Sequence, residues 1–248
     1  MDAGPPLLPG HSALYLDFDG TLAELAQTPD QVVVDDSLPP LLAALSARLD
    51  GALAILTGRR LAAIDAMISP VRIPGAGVHG AELRPESGIT IVRGEPAAAT
   101  PLVRRLRRRF ADDPRLVIED KDVAVALHFR RAPARAAECR EAMRAFAPPW
   151  LFDVIDGNKV VEARPRGADK GAALRALSRL EPFAGRVPVC VGDDRTDEDG
   201  FAVAQALSGF AVKVGPGLSA ARYRLASPAE VRRWLGASLA AWAGERSQ

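Results

Sequence analysis

An apolar segment over residues 13–16 runs straight into Asp17-Phe18-Asp19-Gly20-Thr21. Apolar residues that stop at two carboxylates and a glycine describe a buried strand whose end carries acidic side chains to the edge of a sheet, where open α/β folds bind their ligands. One carboxylate there can attack as a nucleophile and the other can exchange protons, while the pair attracts a hard cation that prefers oxygen. A turn built from Asp and Gly for conformational reasons alone would leave the same letters. What separates the two readings is whether matching chemistry occurs elsewhere.

It occurs in three further segments. Residues 52–56 lead into Thr57-Gly58-Arg59, where a hydroxyl and the amides of a helix start can hold a phosphate oxygen, although an ordinary N-cap threonine has the same sequence. Arg166-Gly167-Ala168-Asp169-Lys170-Gly171 opens a helix with Asp169 as its cap, and places Lys170 to neutralise phosphate charge at the sheet edge. A surface lysine in a first turn is disfavoured by the helix dipole, and the chain holds only Lys121, Lys159, Lys170 and Lys213 beside its many arginines, so each lysine invites a specific role. Finally, the apolar strand 187–191 ends in Gly192-Asp193-Asp194-Arg195-Thr196-Asp197-Glu198-Asp199-Gly200. The repulsion within such a cluster is relieved by a cation or by separate partners. An EF-hand loop is excluded, because counting back from Gly200 as its sixth position puts Arg195 at the first ligand position. The reading that remains is Asp193 as a Mg²⁺ ligand with Asp194 and Asp197 in support.

Strands at 13–16 and 52–56 alternate with helical patterns around 38–49 and 61–67, which predicts a parallel α/β sheet. From about 84 to 164 the pattern changes to short strands at 89–92, 116–118, 123–129, 151–155 and 160–163, with helices near 101–110 and 134–146. Asp156-Gly157-Asn158 supplies a hairpin turn in this stretch. After 166 the alternation resumes through a helix at 170–180, a strand at 187–191, a helix near 201–207, a strand at 211–214 and a last helix from 228. The expected architecture is an α/β, Rossmann-like parallel-sheet core made of 1–83 and 166–248, interrupted by an α+β cap at 84–165. A chain of 248 residues, 48% hydrophobic and 25% charged, can fill such a core and insert.

The net charge of +1 gives no global attraction to nucleic acid or membrane, and neither is an expected partner. The arginine run at 104–109 lacks the interleaved aromatics of a stacking platform and reads as a solvated helix face. Cys139 and Cys190 lie in apolar stretches and read as buried free thiols suited to a reducing cytoplasm. The segment beginning Met1-Asp2-Ala3 has no basic region followed by an apolar core, and no stretch approaches about 20 uninterrupted apolar residues. A cytoplasmic location is the expectation; oligomeric state is not readable.

The four segments, in this order and at strand ends, resemble the haloacid dehalogenase superfamily of aspartate-nucleophile phosphatases over nearly the whole chain. The resemblance implies Asp17 as the nucleophile that forms an aspartyl-phosphate, and Asp19 as acid toward the leaving oxygen and then base toward water. It implies Thr57 and Lys170 as phosphate ligands. Mg²⁺ would be held by the Asp17 carboxylate, the Asp19 main-chain carbonyl and Asp193, with Asp194 and Asp197 behind them.

The insert is similar to the cap of sugar-phosphate phosphatases, and its detail resembles the trehalose-6-phosphate phosphatase family. The matching residues are Gly77-Val78-His79-Gly80-Ala81-Glu82, Glu119-Asp120-Lys121, His128-Phe129-Arg130 and Gly157-Asn158-Lys159-Val160-Val161-Glu162-Ala163-Arg164-Pro165. By that resemblance Glu119, Lys121 and Glu162 grip sugar hydroxyls with His128 and Lys159 nearby, and Phe18 and Gly20 of the first loop also meet substrate. Without it, Glu119 and Lys121 read as an exposed pair, His128 as a satisfied core histidine and His79 as a residue that orders a loop. The implied activity is Mg²⁺-dependent hydrolysis of trehalose 6-phosphate, a small-molecule substrate. A phosphatase for sucrose 6-phosphate or a hexose phosphate is the nearest alternative. A silent sugar-phosphate sensor is another, though it would have no use for both a nucleophile and an acid/base.

Overall fold

A computed structural model describes residues 4–86, 88 and 90–245. The chain opens on β1 (Ser12–Leu16), buried at every position, as a strand covered on both faces must be. Next comes α1 (Leu38–Arg48), which buries Leu38, Leu42 and Leu45 along one stripe. It is followed by β2 (Leu53–Leu56), α2 (Leu61–Met67), β3 (Gly75–Gly77), a 3-10 turn over Val78–Gly80, β4 (Glu82–Arg84) and β5 (Ile91–Val92). The insert carries α3 (Pro96–Arg109), β6 (Val117–Asp120), β7 (Val125–His128), α4 (Ala136–Phe146), β8 (Phe152–Gly157) and β9 (Val160–Pro165). The chain returns through α5 (Lys170–Leu177), β10 (Val187–Gly192), a 3-10 turn over Arg195–Asp197, α6 (Glu198–Ala206), β11 (Phe210–Val214), β12 (Tyr223–Leu225) and α7 (Pro228–Glu245).

Among the described residues these strands form an eight-stranded sheet, ordered β12-β11-β10-β1-β2-β3-β4-β5, and a four-stranded sheet, ordered β6-β7-β9-β8. The first is parallel from β12 to β3 and antiparallel at β4 and β5. The second is antiparallel throughout. In the large sheet Leu14 faces Leu53 on one side and Val189 on the other, so the C-terminal ends of β1, β2 and β10 lie side by side. That register, set by burial of three apolar strands, brings three distant polar segments to one edge. The small sheet packs α3 and α4 onto one face around Leu106, Leu127, Cys139, Met143 and Val161.

Some elements differ from the sequence reading. The stretch expected at 89–92 belongs to the large sheet, not to the insert: β5 pairs with β4 through Leu83↔Ile91 and Glu82↔Val92. Two residues carry no periodicity that names their partner strand. Ile89 lies outside the described residues, as do Met1-Asp2-Ala3. The β8–β9 turn falls on Asn158 and Lys159, with Lys159 in the left-handed region at φ 62. Gly157 stays in the ladder opposite Val160, and a Cβ there would come within 2.8 Å of Val160 Cγ1. Its glycine serves close approach rather than the turn. Helix α3 begins at Pro96 and carries Pro101 inside it.

The arginine run proves to be an exposed helix face. Leu102, Val103 and Leu106 are buried beneath it, the Arg105 guanidinium lies 4.2 Å from the Phe146 ring centroid, and Arg109 pairs with Glu138. Both cysteines are free and buried. No helix of the described residues is long and apolar enough to cross a membrane.

Candidate active site

Asp17 lies one residue past β1, fixed by its amide donating to the Val191 carbonyl of β10 (2.9 Å). Lys170, the first residue of α5, reaches between two carboxylates and donates to Asp17 Oδ1 (2.6 Å) and Asp197 Oδ1 (2.7 Å), with all three side chains buried. The Asp169 side chain caps α5 by accepting from the Ala172 amide, so the helix start that aims Lys170 is itself held.

Carboxylate oxygens of Asp17, Asp193 and Asp197 lie within 4.8 Å of one another. One ammonium does not balance three such groups. Burial and then the charge of Asp197 push the Asp17 carboxyl well above its usual range, with Lys170 opposing. Burial and Asp197 likewise push Asp193 up to about 7. Burial works against the Lys170 ammonium, but the Asp17 and Asp197 charges outweigh it and hold the proton on. An oxygen-only cluster with surplus negative charge fits a hard divalent cation.

The close packing needs two glycines. Gly20 has φ 82, and a Cβ on it would collide with the Asp193 carboxylate; one on Gly192 would collide with Asp197. Lys213 on β11 donates to the main-chain carbonyls of Asp193 (2.6 Å) and Val214 (2.6 Å), tying the acidic loop to the sheet. The sequence reading gave Lys213 no role, although the scarcity of lysine was a signal. Asp194 accepts from the Arg195 amide (2.6 Å), and Asp197 Oδ2 accepts from the Asp194 amide (2.9 Å). This reciprocal cap fixes the turn in which both residues sit.

The second missed residue is Arg59. Its Nε donates to Asp19 Oδ2 (2.6 Å) and its Nη2 to Asp19 Oδ1 (2.8 Å) and to the Pro29 carbonyl (2.9 Å). A fork of this kind fixes the carboxylate plane at the pocket wall. Thr57 is buried and its Oγ1 accepts from the Arg59 amide (3.1 Å), so it shapes the turn that aims Arg59. From this segment Gly58 and Arg59 line the pocket, and Thr57 does not.

Phe18 and Gly20 also stand apart from the lining. Phe18 is buried in the core, where its carbonyl accepts from the amides of Thr21, Leu22 and Ala23, and the Gly20 amide donates to the Ala23 carbonyl. Both shape the loop that presents Asp17 and Asp19.

The insert closes the pocket from the other side. Lys121 donates to Glu162 Oε2 (2.8 Å) and across to the Gly58 carbonyl of the core (2.8 Å). Both side chains are buried, which rules out the exposed-pair reading of Lys121. Burial opposes ionisation of Glu162, but the charge of Lys121 and the bond to His79 outweigh it and hold the carboxyl well below its usual range. His128 Nε2 lies 2.9 Å from Glu119 Oε2, a diagonal pair across β6 and β7. Burial would raise Glu119, yet His128 and Lys121 together lower it. Lys159 is exposed in the turn, and Asn158 lines the pocket in its place.

The family model described as Trehalose-phosphatase matches residues 15–229. The chain is 42% identical over 232 residues to the trehalose-6-phosphate phosphatase of Escherichia coli (strain K12), covering 93% of this chain and 87% of that protein. Among solved structures it is similar to a trehalose-6-phosphate phosphatase related protein, with TM-score 0.75, 26% identity and coverage of 94% of this chain and 99% of that one. The C-terminal domain of the C. albicans trehalose-6-phosphate phosphatase shares the fold at TM-score 0.78 and 22% identity, covering 93% of each chain.

Proposed function

Because the chain belongs to the trehalose-phosphatase family and is a phosphoric monoester hydrolase, we propose that it releases phosphate from trehalose 6-phosphate with Asp17 as nucleophile. The observation that carries this reading is the buried Lys170 bridge at Asp17, set opposite a polar wall formed by the insert. The core, through β5 and again from α5 onward, would supply the phosphoryl chemistry, and the insert from α3 to β9 the sugar contacts.

An Asp17 oxygen attacks phosphorus and the ester bond to the sugar oxygen breaks, while Asp19, entering the step in its protonated form, gives that oxygen its proton. Asp19 then takes a proton from water, the water oxygen attacks the aspartyl-phosphate, and Asp17 departs as carboxylate with inorganic phosphate released. Lys170 neutralises charge where anion meets anion. Thr57, buried behind Gly58 and Arg59, would serve the phosphate through the turn it shapes. Arg59 holds Asp19 through two bonds, so proton delivery includes letting go of at least one.

The oxygen donors fit Mg²⁺, which Asp17, Asp193 and the Asp19 main-chain carbonyl would hold, with Asp194 and Asp197 ordering the loop around it. When bound, it supplies positive charge that polarises the phosphate. Activity is expected to vanish with chelator and return with Mg²⁺, and Asp193→Ala to need far more Mg²⁺. Mg²⁺ should also raise the melting temperature, more at pH 8 than at pH 6. The sign follows from Asp193: its carboxyl titrates near 7, so at pH 6 a proton competes for the oxygen the ion needs. Full turnover in chelator would contradict the assignment.

A phosphate-release screen over trehalose 6-phosphate, sucrose 6-phosphate, hexose phosphates and p-nitrophenyl phosphate tests the substrate. Trehalose 6-phosphate should be preferred, and preference for another sugar phosphate would overturn that part. Glu119→Ala should lower the ratio of kcat/KM for trehalose 6-phosphate to that for p-nitrophenyl phosphate by about 10-fold, the loss of one charge-assisted hydrogen bond. An unchanged ratio would remove Glu119 from sugar recognition.

A further inference from the structure

We propose that His79 is the positioning residue that seats Glu162 for the sugar, so that the grip on the sugar is completed by a side chain of the core; this rests on the phosphatase reading above. His79 lies on the turn between β3 and β4, outside the insert that carries Glu162. The backbone there is held in the left-handed region at Val78 (φ 48) and His79 (φ 53), a conformation especially unfavourable for a β-branched valine. Backbone held this way persists only where its surroundings impose it. Here the Val78 amide donates to the Arg59 carbonyl (2.8 Å) and the His79 amide to the Thr57 carbonyl (2.9 Å), so the turn is clamped to the Thr57–Arg59 segment.

The clamp throws the imidazole over Gly58. A Cβ on Gly58 would lie 2.6 Å from His79 Nε2, so the glycine makes room for this ring. Nε2 then stands 3.3 Å from Glu162 Oε2, the same oxygen that accepts from Lys121, whose Nζ returns to the Gly58 carbonyl. Gly58 and His79 from the core, with Lys121 and Glu162 from the insert, thus make one continuous contact across the two sheets. Burial holds the imidazole pKa down despite the nearby carboxylate, and Nδ1 has no hydrogen-bond partner among the described residues, which leaves Nε2 as the ring nitrogen that meets Glu162.

The other oxygen supplies the ligand chemistry. Glu162 is 4% exposed, lines the pocket, and its Oε1 accepts no hydrogen bond among the described residues. A buried carboxylate oxygen left this way is costly until a donor arrives. With Oε2 occupied by His79 and Lys121, the carboxylate plane is fixed and Oε1 remains for a sugar hydroxyl. His79 also lines the pocket, but with Nε2 turned to Glu162 it acts through that carboxylate.

A double-mutant cycle tests this, with steady-state kinetics on trehalose 6-phosphate and p-nitrophenyl phosphate. His79→Asn removes the reach of the ring while tolerating the left-handed backbone; His79→Gly does the same if the first variant does not fold. The ratio of kcat/KM for the sugar phosphate to that for the small ester should fall about 10-fold or more. His79→Gln, which can still offer an N–H, should recover most of it. In a Glu162→Ala background, His79→Asn should cost no more than about 2-fold further, the mark of coupling. An unchanged ratio, full additivity, or a Gln variant as poor as Asn would each overturn the proposal. A parent enzyme that prefers a different sugar phosphate would overturn the trehalose reading instead, and the same cycle then judges His79 on that ester.

Discussion

Asp17→Asn is expected to lower phosphate release by at least about 1,000-fold while leaving the protein folded. The amide cannot form the covalent ester, yet it matches the carboxylate in shape and keeps an oxygen to accept from Lys170. Stability should not suffer. The parent site sets Lys170 against Asp17, Asp193 and Asp197, and removing one negative charge eases the repulsion that already pushes Asp17 and Asp193 upward. In metal-free buffer the melting temperature should therefore stay level or rise. The checks are a phosphate-release assay and a thermal melt on one purified sample. Turnover within about 10-fold of the parent would end the covalent mechanism.

Lys170→Met is expected to have the opposite pattern, with both activity and stability falling. Deleting the cation leaves Asp17 and Asp197 buried without their shared positive charge, a loss of about 3–5 kcal/mol for a broken buried pair. For a chain of this size that corresponds to a melting temperature lower by roughly 10 °C. The pH dependence has a definite sign. Without Lys170 the chief force opposing the upward shift of Asp17 is gone. The folded variant then binds a proton that the unfolded chain, with its carboxyl near the ordinary value, has already released. Its stability must rise as pH falls. In metal-free buffer the gap between parent and variant should be widest near pH 8 and narrow toward pH 5. A constant gap would mean that the lysine contributes packing rather than charge.

The core chemistry was legible because its residues sit at the ends of strands whose burial is written as unbroken apolar runs. Once β1, β2 and β10 are neighbours, Asp17, the Thr57–Arg59 segment and Asp193 must share an edge. What escaped were contacts with no local signature. The Arg59–Asp19 fork joins residues forty positions apart, and the bond from Lys213 to the Asp193 carbonyl ends on a main-chain atom that no side-chain pattern marks. The exchange of Asn158 for Lys159 is a matter of register: moving the hairpin turn by one residue changes which side chain faces the pocket. His79 was hidden for a further reason, since a left-handed turn at Val78 and His79 is imposed by neighbours and contradicts local preference.

The position of β1 also governs how the chain can be made. Its five buried residues are made before either flanking strand, and one of those, β10, begins only at Val187. At ordinary elongation rates of about 5–20 residues per second, β1 waits on the order of 10 s or longer with one edge open. An unpaired apolar edge is a template for wrong partners. The inserted unit faces no such delay, because its strands and helices are contiguous in sequence and enclose their own cluster. Chains released before Val187 should collect as aggregates even when that unit is complete, and the large sheet should be the last part of the molecule to close, around a strand made long before its second neighbour.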